Sequence, residues 1–261
     1  MSIADKLKTV AENAPKVYEA GKQAEYDAFW DNFQNYGNRK NYSYAFYNYD
    51  YTDHFQWNQN TLRPKYDIIP TNANRIMNRL KGITDLGEHF DKLGIKFDLS
   101  QSTNNALMFP YGDFVKLPVI DCSNATTIEN TFNYNYNLET IEKLVMSEKI
   151  TTGNKPFVEC RKLENIVIEG VMALSISFQH CPLSVASLKS IIKHLKPYYG
   201  TADEFTYTLT VKTSAWEALE EAGFTDEDYQ WVFDNWGSPP DLYDSWDTLM
   251  GGWLGWNLVL A

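Results

Sequence analysis

Two stretches of this chain are spaced copies of one another. Phe132, Leu138 and Ile141 recur 25 residues later as Phe157, Leu163 and Ile166, and Leu144 is followed in its turn by Ile168. Met108, Phe114, Leu117 and Ile120 match one unit earlier, at a step of 24. A fainter unit lies around residues 90–99. A unit this short cannot bury its own apolar face, so each copy needs a neighbour above and below. The spacing therefore predicts an α+β chain built around a solenoid of short strands over residues 76–183. With 44% hydrophobic and 22% charged residues, the composition suits a packed core and not a disordered chain.

The flanks have different patterns. Ile3, Leu7, Val10, Ala14, Val17, Gly21, Ala24 and Ala28 alternate at spacings of four and three, the period of a coiled-coil seam. Pro15 interrupts it, so the helix breaks or restarts there. Residues 1–36 read either as an oligomerising stalk or as an amphipathic helix packed on its own domain. Residues 37–75 form an aromatic cap. Within it Tyr42 and Tyr44 alternate in one phase, and Tyr47, Tyr49 and Tyr51 in the other, which reads as strand with a bulge or turn. These tyrosines and Trp57 either cover the open end of the domain or form a ligand surface. In the second case tyrosine faces would stack on sugar rings while their hydroxyls hydrogen-bond.

Residues 184–261 read as a capping module. Ser184 precedes Val185, Leu188, Ile191, Ile192 and Leu195 at helical spacing. Residues 205–211 alternate like a strand. Ser214 is the expected cap of a further helix that Gly223 stops. This region also concentrates charge: residues 213–261 hold ten acids and no bases, in a chain whose net charge is −11. Six of the eight tryptophans lie there as well.

Catalytic signatures are sparse. The four histidines lack metal-ligand spacing, and His180-Cys181 points its side chains to opposite faces if extended. No phosphate-binding glycine loop or nucleophile elbow occurs. The acidic clusters at 217–221 and 241–247 read as solvated helix faces, and Asp226-Glu227-Asp228 lacks the alternating ligands and central glycine of an EF-hand loop. The three cysteines, Cys122, Cys160 and Cys181, read as small buried hydrophobes. No enzyme activity, cofactor or metal is expected. The acidic balance argues against nucleic-acid and anionic-membrane partners. No apolar run is long enough to cross a bilayer, and the N-terminus lacks the apolar core of a secretory signal.

FVECRKLENIVIEG (157–170) and TFNYNYNLETIEKLVMSEK (131–149) resemble the BspA-type leucine-rich repeat. Cys160, Leu163, Ile166, Ile168 and Gly170 fill its slots, while Asn135 stands where the upstream unit would carry cysteine. The phrases at 4–39, 63–73 and 183–195 and the closing LGWN are similar to proteins encoded in prophages of gut Firmicutes. The resemblance implies a leucine-rich-repeat solenoid and a phage-encoded product, but no catalysis. The expected role is a virion-associated tail or fibre adhesin, made in the bacterial cytoplasm and released by lysis. It would bind a bacterial surface receptor, glycan or protein, and other virion proteins, with a homotrimer formed through the heptad. The alternative is an intracellular protein–protein interaction module.

Overall fold

The computed structural model describes residues 67–197, 207–236, 245–246, 249–250 and 256–261. The described order is α1 (Leu86–Leu93), β1 (Lys116–Asp121), β2 (Thr140–Met146), β3 (Asn165–Gly170), β4 (Ile176–Phe178), α2 (Val185–Lys193), β5 (Tyr207–Val211), α3 (Thr213–Ala222), α4 (Asp226–Trp236) and β6 (Trp256–Leu260).

The solenoid expectation is corrected here. The described strands form two separate parallel sheets of three, ordered β1-β2-β3 and β4-β5-β6, and no continuous sheet runs through the described residues. The repeat has a narrower meaning: it is the step from β1 to β2 to β3. Leu117 pairs with Ile141 and Ile141 with Ile166, so the copied apolar positions sit side by side and point inward. Buried residues are three apart in β1 and in the first part of β2, but two apart at the end of β2 and in β3. A register shift between Ile141 and Leu144 absorbs the extra residue.

Why the first sheet stops at three strands is visible at its edges. Beyond β3 lies α2, whose Ser187 and Ser190 hydroxyls accept from the Ile166 and Ile168 backbone N–H groups at 2.9 and 2.8 Å. Two serines stand where a further strand would supply carbonyls, and a helix closes the edge. Ser184 caps α2, its hydroxyl accepting from Ser187 N–H, as the sequence predicts. Beyond β1 the Thr84 carbonyl accepts from Val115 and Lys116, and α1 packs alongside. That region, expected to be a weak repeat unit, is helical because Asp85 caps it and Leu86 and Phe90 bury one face. Gly94 ends it in the left-handed conformation.

Gly170 ends β3 at φ +82°, and a side chain there would overlap the Met146 carbonyl oxygen. Gly94 also has positive φ, but open space surrounds it. Gly170→Ala should therefore cost about 2–4 kcal/mol, combining left-handed strain with backbone displacement, whereas Gly94→Ala should cost about 1. Urea denaturation of the two variants side by side checks this; equal costs would show that the β3 end yields freely.

Along the interior, Phe109, Phe132, Phe157 and Phe178 stack ring on ring, with centroids 5.7, 5.1 and 4.5 Å apart. The sequence alignment placed Met108 opposite Phe132; the structure places Phe109 there. The backbone carbonyls of the first three phenylalanines are each approached by a side chain from the next unit. Asn135 Nδ2 donates to Phe109 O at 2.9 Å and Cys160 Sγ to Phe132 O at 3.1 Å. Cys181 Sγ approaches Phe157 O at 3.7 Å. Burial pushes the Cys160 thiol up to about 12, so it keeps the proton it donates. Asn135 fills the cysteine slot because both residues supply a compact donor.

The C-terminal elements pack on α2. The helix predicted to be capped by Ser214 begins two residues earlier than that cap implies, at Thr213 with Lys212 at the cap, and is stopped at Gly223 as expected. Buried tryptophans find partners for their indole N–H groups: Trp256 Nε1 donates to Lys196 O and Trp246 Nε1 to Gly223 O.

Candidate binding surface

Every unit of the first half turns through two non-glycine residues of positive φ, four apart: Arg75 and Arg79, Leu107 and Tyr111, Asn130 and Tyr134, Lys155 and Glu159. In this conformation the backbone N–H is offered to the neighbouring unit. Arg79 N donates to Pro110 O, Tyr111 N to Asn133 O and Tyr134 N to Val158 O, at 2.8, 3.3 and 2.7 Å. The final rung has no carbonyl. Glu159 N donates instead to His180 Nδ1 at 3.0 Å, so in the neutral ring Nε2 carries the hydrogen.

The second member of each pair thus stacks above the last, and the side chains form a row: Arg79, Tyr111, Tyr134, Glu159, then His180. The Tyr111 and Tyr134 rings lie 4.8 Å apart and within 3° of parallel. The Arg79 guanidinium lies 5.3 Å above the other face of Tyr111. Tyr136 meets Tyr134 edge to face, with centroids 6.2 Å apart. Tyr111 is 39% exposed and Tyr136 49%, among the few large aromatic surfaces open to water in the described chain. Left-handed backbone costs a non-glycine residue roughly 1 kcal/mol, so the row carries strain that ring stacking offsets only in part.

The other broad surface is the outer face of β1–β3. Lys116 pairs there with Glu142 and Lys143 with Glu169, and Val119 and Val167 are exposed. Its charges are already matched, which leaves little to recognise a charged ligand.

Burial pushes the Cys122 thiol up to about 12, as it does that of Cys160, and the pKa of Cys181 is raised well above its ordinary value; none is a poised nucleophile. Among the described residues no three His, Cys, Asp or Glu side chains are placed to hold a metal ion. No helix among them is long and apolar enough to cross a membrane.

The sequence-predicted ligand residues Tyr42, Tyr44, Tyr47, Tyr49, Tyr51 and Trp57 lie outside the described residues. So do the heptad positions Ile3, Leu7, Val10, Ala14, Val17, Gly21, Ala24 and Ala28. The tyrosine row was missed, although a signal existed. Each ladder phenylalanine is followed two residues later by a row member: Phe109 by Tyr111, Phe132 by Tyr134, Phe157 by Glu159 and Phe178 by His180. His180 itself, expected to serve packing or a turn, closes the row. No family model, curated protein or solved structure matches the chain.

Proposed function

We propose that this chain is a non-enzymatic, virion-associated phage adhesin that engages the bacterial surface through the row of Tyr111, Tyr134 and Tyr136. The observation that carries the reading is that Tyr111 and Tyr134 are mounted on left-handed backbone and fixed in register by inter-unit hydrogen bonds, with the exposed Tyr136 ring set against Tyr134. A preorganised aromatic row loses little conformational freedom on binding, which favours weak, repeated contacts. The likeness of the flanks to prophage products supports the virion setting. The heptad over residues 3–28 would join the chain to other virion proteins or to two further copies. Three weak sites on one particle would then act together.

Labelled full-length protein should bind intact gut Firmicutes cells strain-selectively. Tyr134→Phe combined with Tyr136→Ala should lower apparent affinity at least tenfold without changing the melting temperature by more than a few degrees. Leu7→Asp with Val17→Asp should reduce avidity but spare single-site binding. Equal binding of all strains, or no loss in the tyrosine variant, would sink the proposal. A defined protein captured from host lysate, with no cell binding, would favour the intracellular interaction module.

A further inference from the structure

We infer that the ligand of the tyrosine row is an acidic polysaccharide, whose carboxylate or phosphate is gripped by Arg79. The inference rests on the row being the binding surface and names what that surface takes. It begins with the faces of the rings. Tyr111 is enclosed between Arg79 on one side and Tyr134 on the other, so neither face of Tyr111 is free for a sugar to stack on. One face of Tyr134 is occupied by Tyr111, and Tyr136 meets the same ring edge to face. What the row presents is edges: the hydroxyl-bearing rims of Tyr111 and Tyr134, whose rings stack 4.8 Å apart, with Tyr136 beside them. Edges recognise by hydrogen bonding, and a polymer bearing hydroxyls along its length matches them.

The charge at the end of the row supplies the second half. This chain has 34 acids against 23 bases, and two cations close to the row in sequence are already matched: Lys81 with Asp113 and Arg161 with Glu159. Arg79 is exposed and has no carboxylate within ion-pair distance among the described residues. A guanidinium lying on a ring keeps the N–H donors of its edge directed outward, in the fork that matches a carboxylate or phosphate. An arginine with no ion-pair partner among the described residues of an acidic protein, at the end of a row that carries phenol hydroxyls, fits a sugar polymer that carries an anion.

The test uses full-length protein and three dextrans of equal length: neutral, carboxymethylated and phosphorylated. At low ionic strength, at least one anionic form should bind tenfold or more tighter than the neutral one, and the preference should shrink as salt rises. Arg79→Gln should erase the preference, and Arg79→Lys, which keeps charge but not the fork, should restore part of it. Arg79 is exposed, so an unchanged melting temperature serves as the folding control. Which anionic dextran binds better distinguishes carboxylate from phosphate. Equal affinity for all three dextrans, binding to none, or a preference untouched by Arg79→Gln would overturn the inference. Polyglutamate binding as tightly as the anionic dextran would also overturn it, in favour of an acidic protein. Cell binding separates this failure from failure of the adhesin reading. If the Tyr134/Tyr136 variant loses cell binding while Arg79→Gln retains it, only the anionic ligand is wrong. If neither variant changes cell binding, the row is not the site.

Discussion

Phe157→Ala is expected to destabilise the protein more than any other single truncation along the phenylalanine stack. The ring is fully buried, and it is sandwiched between Phe132 at 5.1 Å and Phe178 at 4.5 Å. Removing a buried phenylalanine costs about 3–5 kcal/mol through lost transfer energy and the cavity left behind. Two aromatic contacts disappear with it, each of order 0.5–1.5 kcal/mol beyond area burial. The position matters as much as the size. Phe178 belongs to β4 of the second sheet, while Phe132 lies in the segment that leads into β2 of the first. The ring is therefore part of what makes the two sheets share a core. A loss of 3–5 kcal/mol should lower the melting temperature by roughly 6–20 °C for a chain of this size. Phe157→Leu, which fills most of the space, should cost much less, about 1–1.5 kcal/mol. Urea denaturation of both variants, followed by tryptophan fluorescence and by far-UV circular dichroism, reads the difference. A cost below 1 kcal/mol for the alanine variant would mean that the stack relaxes around the gap. Non-coincident transitions would mean that the sheets unfold separately once the ring is gone.

That stack shows how far the sequence could be read. The spacing of Phe132 and Phe157 revealed that units lie side by side, because burial of apolar side chains repeats with the strand step. It could not reveal where the pairing ends. The end is set by Ser187 and Ser190, two hydroxyls on a helix that happen to meet the N–H groups of β3. Hydroxyl-to-backbone hydrogen bonds leave no periodic trace. The expected single solenoid failed for that reason, and the two sheets are the consequence. The tyrosine row was obscured for a related one. Tyr134 and Tyr136 lie at unassigned positions between Phe132 and Leu138 of the repeat, and the placement of Tyr111 and Tyr134 depends on left-handed φ, which in L-residues has no sequence signature unless they are glycine or asparagine. Only Asn130 among the eight such residues carried that hint. The role of Asp228 was not legible in the acidic run at 226–228, because its partners lie about forty residues away. Asp226 and Glu227 are exposed, but Asp228 is buried. The signal was Thr225-x-x-Asp228, a helix-capping pattern, together with Lys189 and Lys193 one helical turn apart.

Asp228 is the residue whose loss should most affect the C-terminal half. Its side chain is 2% exposed, and it accepts from Lys189 Nζ at 2.6 Å and lies 3.0 Å from Lys193 Nζ. Thr225 adds its hydroxyl at 2.7 Å and its backbone N–H at 3.1 Å, completing the cap of α4. The two ammonium groups also lie over aromatic rings, Lys189 over Trp246 and Lys193 over Trp231. One carboxylate thus fastens α4 to α2 and sets the tryptophans against it. Asp228→Asn would leave two lysines facing each other without their counter-charge. Removing one partner of a buried pair costs about 3–5 kcal/mol, and the lysines' partial exposure places this case near the lower figure. The effect should be local. Hydrogen exchange should accelerate across residues 213–236 while β1–β3 stay protected, and tryptophan emission should shift to the red. Replacing Lys189 and Lys193 with methionine in the same chain should recover much of the loss, since the uncompensated charge is then gone. The same contact sets an acid limit. Burial raises the Asp228 pKa, but the hydrogen bonds from Lys189, Thr225 and Lys193 outweigh it and hold the group at about 2, below its ordinary 3.8. A carboxyl depressed on folding stabilises fully above its unfolded value, and that stabilisation fades as pH falls from about 4 through 2. Wild-type protein should therefore lose protection of α4 in that window, and the Asp228→Asn variant should show no such step there. A wild-type α4 that stays protected at pH 2, or a variant that loses it over the same range, would show that another group holds the helix.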